Sequence, residues 1–187
     1  MSRQLIVVDV ETDRLNKTSA LALEVAAINM TTGEELVFVP FGATELARQA
    51  DPGALAVNRF FERRLPEEEM GPLTTKRAFE TLGEWLNGNT LAGCNPSFDA
   101  AVIVRELAKE ADTDTGSEVE AWHHRLADLS ALTAGALGMA PTELPGLADC
   151  CRLLGVTNTD PHSALGDARA TADCFRELER RADRRLA

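Results

Sequence analysis

Two carboxylates stand two residues apart in an otherwise aliphatic run, Leu5-Ile6-Val7-Val8-Asp9-Val10-Glu11. On a strand, side chains at i and i+2 share a face, so Asp9 and Glu11 project together near the strand's C-terminal end. Three further groups lie far along the chain: Asp99 in Asn95-Pro96-Ser97-Phe98-Asp99, and His162 and Asp167 in Pro161-His162-Ser163-Ala164-Leu165-Gly166-Asp167-Ala168. Burying carboxylates as unpaired ions costs on the order of several kcal/mol each, and a cation is the usual reason for grouping them. Oxygen-only ligation suits a hard ion, Mg²⁺ or Mn²⁺, rather than zinc. The chemistry implied is metal-assisted hydrolysis.

These groups meet only if the elements carrying them converge. The run 5–10 reads as a central strand buried on both faces. Leu21 to Met30 and Glu34 to Phe41 are two more strands joined by the turn Thr31-Thr32-Gly33, which makes a three-strand antiparallel meander. From Thr44 to Pro72 the pattern breaks into short helical pieces around Pro52, Gly53, Pro66, Gly71 and Pro72. Thr75 to Asn87 reads as a helix, Thr90 to Cys94 as a strand, and Phe98 to Ala111 as a helix that places Asp99 in its first turn, where negative charge is favoured. Trp122 to Asp128 is a fifth strand candidate, Leu129 to Leu137 and Pro145 to Leu154 are helices, and a last helix covers about Ser163 to Arg185. Asp112 to Glu120 resembles a polar loop.

His162 and Asp167 would point about 140° apart on one helix, at ~100° per residue. They converge only if His162 precedes the helix and Ser163 caps it. Asp167 then shares a face with Thr171, Cys174 and Leu178, the side that packs on the sheet, and Gly166 allows close backbone approach. Asp99 alone fits ordinary helix-start chemistry, with Ser97 or Asn95 as cap. His123 and His124 are adjacent and are read as structural. Glu24 lacks a partner two residues away and is given no metal role.

The 187 residues, 44% of them hydrophobic, suit a single domain over 1–187. Four cysteines, Cys94, Cys150, Cys151 and Cys174, lack zinc-site spacing and read as reduced buried thiols. No apolar run approaches the roughly 20 residues of a membrane span, and the N-terminus lacks signal-peptide layout, so a soluble cytoplasmic protein is expected. A net charge of -11 opposes loose binding along a polyanion but is compatible with an enzyme that grips a chain end through metals. The basic cluster Arg180, Arg181, Arg184 and Arg185 is read first as a solvated helix end that complements the helix dipole.

Taken in order, Asp9-x-Glu11, Asn95-x-x-Phe98-Asp99 and His162-x-x-x-x-Asp167-Ala168 resemble the three motifs of the DEDDh (DnaQ-like) exonuclease family. That family includes the proofreading exonuclease subunit of bacterial replicative DNA polymerase, ribonuclease T and oligoribonuclease. The resemblance implies an α/β, ribonuclease H-like fold: a five-stranded mixed sheet, three strands in an antiparallel meander plus parallel strands, flanked by helices. It implies two divalent cations, Mg²⁺ or Mn²⁺, with Asp9, Glu11 and Asp167 on the nucleophile-side ion, Asp9 bridging, and Asp99 on the second. His162 resembles the general base, a task suited to imidazole, which titrates near pH 6.5 when unperturbed.

Thr12 and Leu15 match positions that contact the terminal nucleotide, Phe98 a stacking surface or a core residue, and Asn95 and Asn58 cleft residues. Arg14 stands where family members usually carry glycine, and Cys94 where histidine is frequent. The absence of tyrosine excludes the sister subgroup that uses Tyr in place of His. The implied activity is 3′→5′ release of nucleoside 5′-monophosphates from single-stranded or frayed DNA, in isolation or beside a DNA polymerase. A short-RNA exonuclease and a non-catalytic polymerase-binding adaptor are the alternatives.

Overall fold

A computed structural model describes residues 3–110 and 122–186, so the polar stretch 112–120 lies outside the described residues. The aliphatic run becomes β1 (Leu5–Thr12), which sits at the centre of a sheet ordered β3-β2-β1-β4-β5. β2 (Ala22–Asn29) and β3 (Glu35–Phe38) form the antiparallel meander. Short α1 (Ala43–Ala47), α2 (Pro52–Asn58) and a 3₁₀ turn at Leu65–Glu67 follow, and then α3 (Pro72–Leu86). β4 (Thr90–Gly93) pairs with β1 in parallel and leads into α4 (Pro96–Glu110). β5 (Ala127–Asp128) adds the other edge, before α5 (Leu129–Leu137), α6 (Leu147–Leu154) and α7 (Ala164–Leu186).

Alternation along β1 divides the core. Ile6, Val8 and Val10 face α3 and α4, packing with Phe79, Leu82, Val102 and Ile103. Val7 faces α5, α6 and α7, packing with Leu129, Leu154, Ala168 and Phe175. Asp9 and Glu11 keep the parity of Val7 and so open toward the α7 side. A third cluster, built on Leu23, Val39 and Phe60, seats α1 and the 3₁₀ turn against the meander.

Several boundaries differ from the sequence reading. β3 stops at Phe38 rather than Phe41, because Pro40 cannot donate to a ladder; Val39 makes an isolated parallel bridge with Glu69 instead. Residues 122–126 are loop, not strand: His123 N–H donates to the Asn89 carbonyl at 2.8 Å, and Arg125 N–H turns back onto His123 Nδ1 at 3.2 Å. α3 begins three residues earlier than expected, at Pro72, where a missing N–H is harmless. α6 begins at Leu147, with Gly146 rather than Pro145 before it.

Candidate active site

β1 carries two acids of the site, and α7 brings the third to them. One carboxylate oxygen each from Asp9, Glu11 and Asp167 lies within 4.8 Å of the others, a spacing one cation can span. Burial, then Asp99, Asp167 and Glu11, push the Asp9 carboxyl well above its ordinary range. Glu11 is pushed up to about 8 by burial first and then by Asp167 and Glu24, with Arg63 opposing. Asp167 is raised by burial against the hydrogen bonds of Asn158 and His162. Carboxyls disfavoured as ions on these grounds, with an all-oxygen donor set, fit a hard divalent cation that would offset the repulsion.

Asp99, in the first turn of α4, is 7% exposed and accepts the Val10 N–H at 3.0 Å. Burial raises it to about 7, against the N–H bonds it accepts. It therefore touches the acidic strand from the α4 side, outside the three-carboxylate group but close enough to act on Asp9 electrostatically.

His162 lies just before α7 as an exposed residue, in the left-handed region at φ 64. Its N–H points between the two Asp167 oxygens at 3.3 Å each, which links the histidine to one of the three clustered carboxylates through the backbone. Ser163 caps α7, accepting the Gly166 N–H at 3.0 Å, while its hydroxyl donates to Asp160 Oδ2 at 2.6 Å. A Cβ on Gly166 would run into the Asp160 carbonyl and the Ser163 hydroxyl, so this turn closes only around glycine.

The remaining candidates occupy different settings. Leu15 is 81% exposed beside a cleft of about 490 Å³ lined also by Arg14, Asn16, Ser19, Gln49 and Asp51. Arg14 lies on buried Asp13 at 2.6 Å, and the Thr12 hydroxyl donates to the Arg14 carbonyl at 2.8 Å. Exposed Asn95 lines a second cleft of about 480 Å³ together with Asp9, Cys94, Asp128 and Asp167. Phe98 packs against the core on the α3 and α4 side. Asn58 is a correction to the sequence reading. It is 1% exposed, donates to the Thr12 carbonyl at 3.1 Å and accepts the Phe60 N–H at 3.1 Å, so it braces the end of β1 instead of facing a substrate.

Sequence reasoning missed three participants. Asn158 donates to Asp167 Oδ1 at 2.6 Å and orients that carboxylate; its place in the turn-forming string Asn158-Thr159-Asp160-Pro161 was the available signal. Glu24, which is buried, and half-buried Arg63 form an ion pair beside Glu11, and no sequence spacing pairs them.

A mixed sheet whose central strand carries Asp-x-Glu, with further acids delivered by helices on either side, defines the metal-dependent nuclease class of the ribonuclease H-like fold. A family model described as Exonuclease matches residues 6–175, and the chain belongs to that exonuclease family, in its DEDDh (DnaQ-like) group. Among solved structures, E. coli exonuclease I with a dT13 oligonucleotide aligns with a TM-score of 0.72 at 17% identity, over 99% of this chain and 42% of that one. The zinc-bound E. coli exonuclease I complex with single-stranded DNA aligns at 0.73 and 16%, over 98% and 42%. A product-bound exonuclease I aligns at 0.70 and 16%, over 98% and 45%. At such identities the likeness is one of fold, and the chain spans under half the length of these proteins. No curated protein matches it in sequence.

Proposed function

We propose that this chain is a 3′→5′ exonuclease that uses two divalent cations, Mg²⁺ or Mn²⁺, to release nucleoside 5′-monophosphates from single-stranded or frayed DNA ends. The observation that carries the reading is the convergence of Asp9, Glu11 and Asp167, with Asp99 against the same strand and His162 bonded to Asp167 through its backbone. Asp9, Glu11 and Asp167 would hold the ion on the nucleophile side, and Asp9 with Asp99 the second. Bound there, such ions acidify the attacking water and stabilise charge on the departing 3′ oxygen.

The chain's own groups do the rest. His162 takes the water proton on a ring nitrogen as the water oxygen bonds to phosphorus and the bond to O3′ breaks. Its exposed position before α7 leaves the ring free to meet solvent and substrate. Leu15 holds the terminal nucleotide from the loop after β1; Thr12, assigned to the same task from the sequence, is buried at the end of β1 and braces that loop through its hydroxyl bond to the Arg14 carbonyl, while Asn95 borders the cleft that contains Asp9 and Asp167. DNA is favoured over RNA because the solved neighbours are described with dT13 and single-stranded DNA. The four cysteines are unbridged thiols, which suits a reducing cytoplasmic setting.

The test is a panel of 5′-labelled oligomers of one sequence, as single-stranded DNA, duplex DNA and RNA, incubated with Mg²⁺ and with Mn²⁺. Stepwise shortening from the 3′ end with mononucleotide release is expected, fastest on single-stranded DNA. Absence of mononucleotides with either ion would sink the proposal, and faster cleavage of RNA would move the substrate to short RNA.

A further inference from the structure

Glu24 and Arg63 stand outside the five site residues, yet they grip the backbone from which His162 projects. Glu24 is 4% exposed on β2, directly across the ladder from Glu11 and on the same face of the sheet. Its carboxylate accepts both arms of the Arg63 guanidinium, at 2.9 Å from Nη1 and 2.8 Å from Nη2. The oxygen that takes Nη1 also accepts the N–H of Ala164, first residue of α7, at 3.0 Å. Arg63 Nη1 reaches onward to the His162 carbonyl at 3.2 Å and the Asn58 carbonyl at 3.3 Å. One ion pair, buried on its Glu24 side, is thus bonded to the residues on both sides of Ser163, the cap of α7.

A stability role alone does not account for this. Desolvating the buried Glu24 carboxylate offsets much of its Coulomb attraction to the half-buried Arg63, so the pair adds little net stability. The His162 backbone, by contrast, needs holding: its left-handed conformation disfavours an L side chain. Arg63 also supplies positive charge among Glu11, Glu24 and Asp160.

We infer that the Glu24–Arg63 pair positions the general base: it fixes the His162 carbonyl and the first N–H of α7, and thereby holds the imidazole and Asp167 in register over Asp9 and Glu11. This rests on His162 acting as the base in the proposed exonuclease. Glu24 and Arg63 are positioning residues, and they act through His162 and the start of α7.

The experiment is a double-substitution cycle in the full chain, with Arg63→Lys and Glu24→Gln each made in the native and the His162→Ala backgrounds. Displacement of a reacting group by about 1 Å can cost about 100-fold. In the native background each substitution is therefore expected to lower kcat about 10- to 100-fold with KM changed less than about threefold. In the His162→Ala background the same substitutions should change the residual kcat less than about twofold, since no base remains to be positioned.

A second readout needs no turnover. The chain has three histidines, so the His162 ring resonance is assignable by its loss in His162→Ala, and it should shift or broaden in Arg63→Lys while the thermal midpoint reports the fold. Equal losses in both backgrounds, or full kcat in folded Arg63→Lys and Glu24→Gln while His162→Ala is crippled, would overturn the positioning role alone. An unaffected His162→Ala would instead overturn the assignment of the base. If Arg63→Lys fails to fold, Glu24→Gln, which keeps the shape of the side chain, carries the test.

Discussion

Asp9 and Glu11 are acids in a place where burial and mutual repulsion both favour the proton. With Glu11 near 8 and Asp99 near 7, against ordinary values of 4.5 and 3.8, the folded protein keeps protons that the unfolded chain releases. Stability without metal is therefore greatest at the acid end of this window, falls as pH rises from about 4 to about 8, and levels off above it. A divalent cation bound only by the folded state should restore stability most at the alkaline end, and binding should release protons near neutrality. Thermal midpoints from pH 5 to 9, in EDTA and in Mn²⁺, check the sign; a metal-free midpoint that climbs across that range would contradict it. By the same logic Asp9→Asn should abolish hydrolysis yet raise the metal-free midpoint by about 2–4 °C, the shift that about 1 kcal/mol gives in a chain of this size. His162→Ala should lower kcat about 100- to 10,000-fold, the usual contribution of a general base, and leave the midpoint near its native value.

Among the elements, the start of α7 sets the site more than any strand does. Gly166 lies where a methyl group would meet the Asp160 carbonyl, and Gly166→Ala should cost about 1–3 kcal/mol through overpacking while moving Asp167 and lowering kcat. Gly135, inside α5 with open space at its Cβ position, is the control: Gly135→Ala should stabilise by about 0.5–1 kcal/mol, and denaturant melts of the two variants would show opposite signs. Much of this geometry is legible in the sequence. The aliphatic run around Asp9 gives β1, α5 ends where its residues suggest, and the His162 to Asp167 spacing requires the break before α7 that Ser163 supplies. What is hidden depends on contact across the fold. Glu24 looks partnerless because Arg63 is 39 positions away, and Asn58 reads as a cleft residue until its amide is seen to be used by backbone. β5 shrinks to two residues because a loop bonded to Asn89 replaces the strand that Trp122 and Leu126 suggest.

For the whole molecule, charge decides how a polyanion is held. The net charge is -11, and among the described residues no helix is long and apolar enough to cross a membrane. Nor does the C-terminal basic cluster lie at the site: it begins 16 residues along α7 from Ala164, about 24 Å at 1.5 Å per residue. Arg180, Arg181 and Arg184 all pair with Glu177, at 3.2, 2.8 and 3.4 Å. At the site, Arg14 is shared with Asp13 and Arg63 with Glu24. For the exonuclease proposed above, affinity for a single strand would then come mostly from the 3′ end, through metal and loop contacts, with few counterions displaced. For single strands the slope of log K against log salt is about -0.7 per phosphate neutralised, so two or three contacts give a slope near -2. Titrating a fluorescent oligomer against the His162→Ala variant, which keeps all four carboxylates, at fixed Mn²⁺ and varied KCl measures it. A shallow slope, with weak dependence on oligomer length beyond the first few nucleotides, is expected of an end-gripping enzyme. A slope of about -5 or steeper would require a cationic track along the strand that the paired arginines do not offer, and would mean that ion pairs such as Arg14–Asp13 open to receive phosphates.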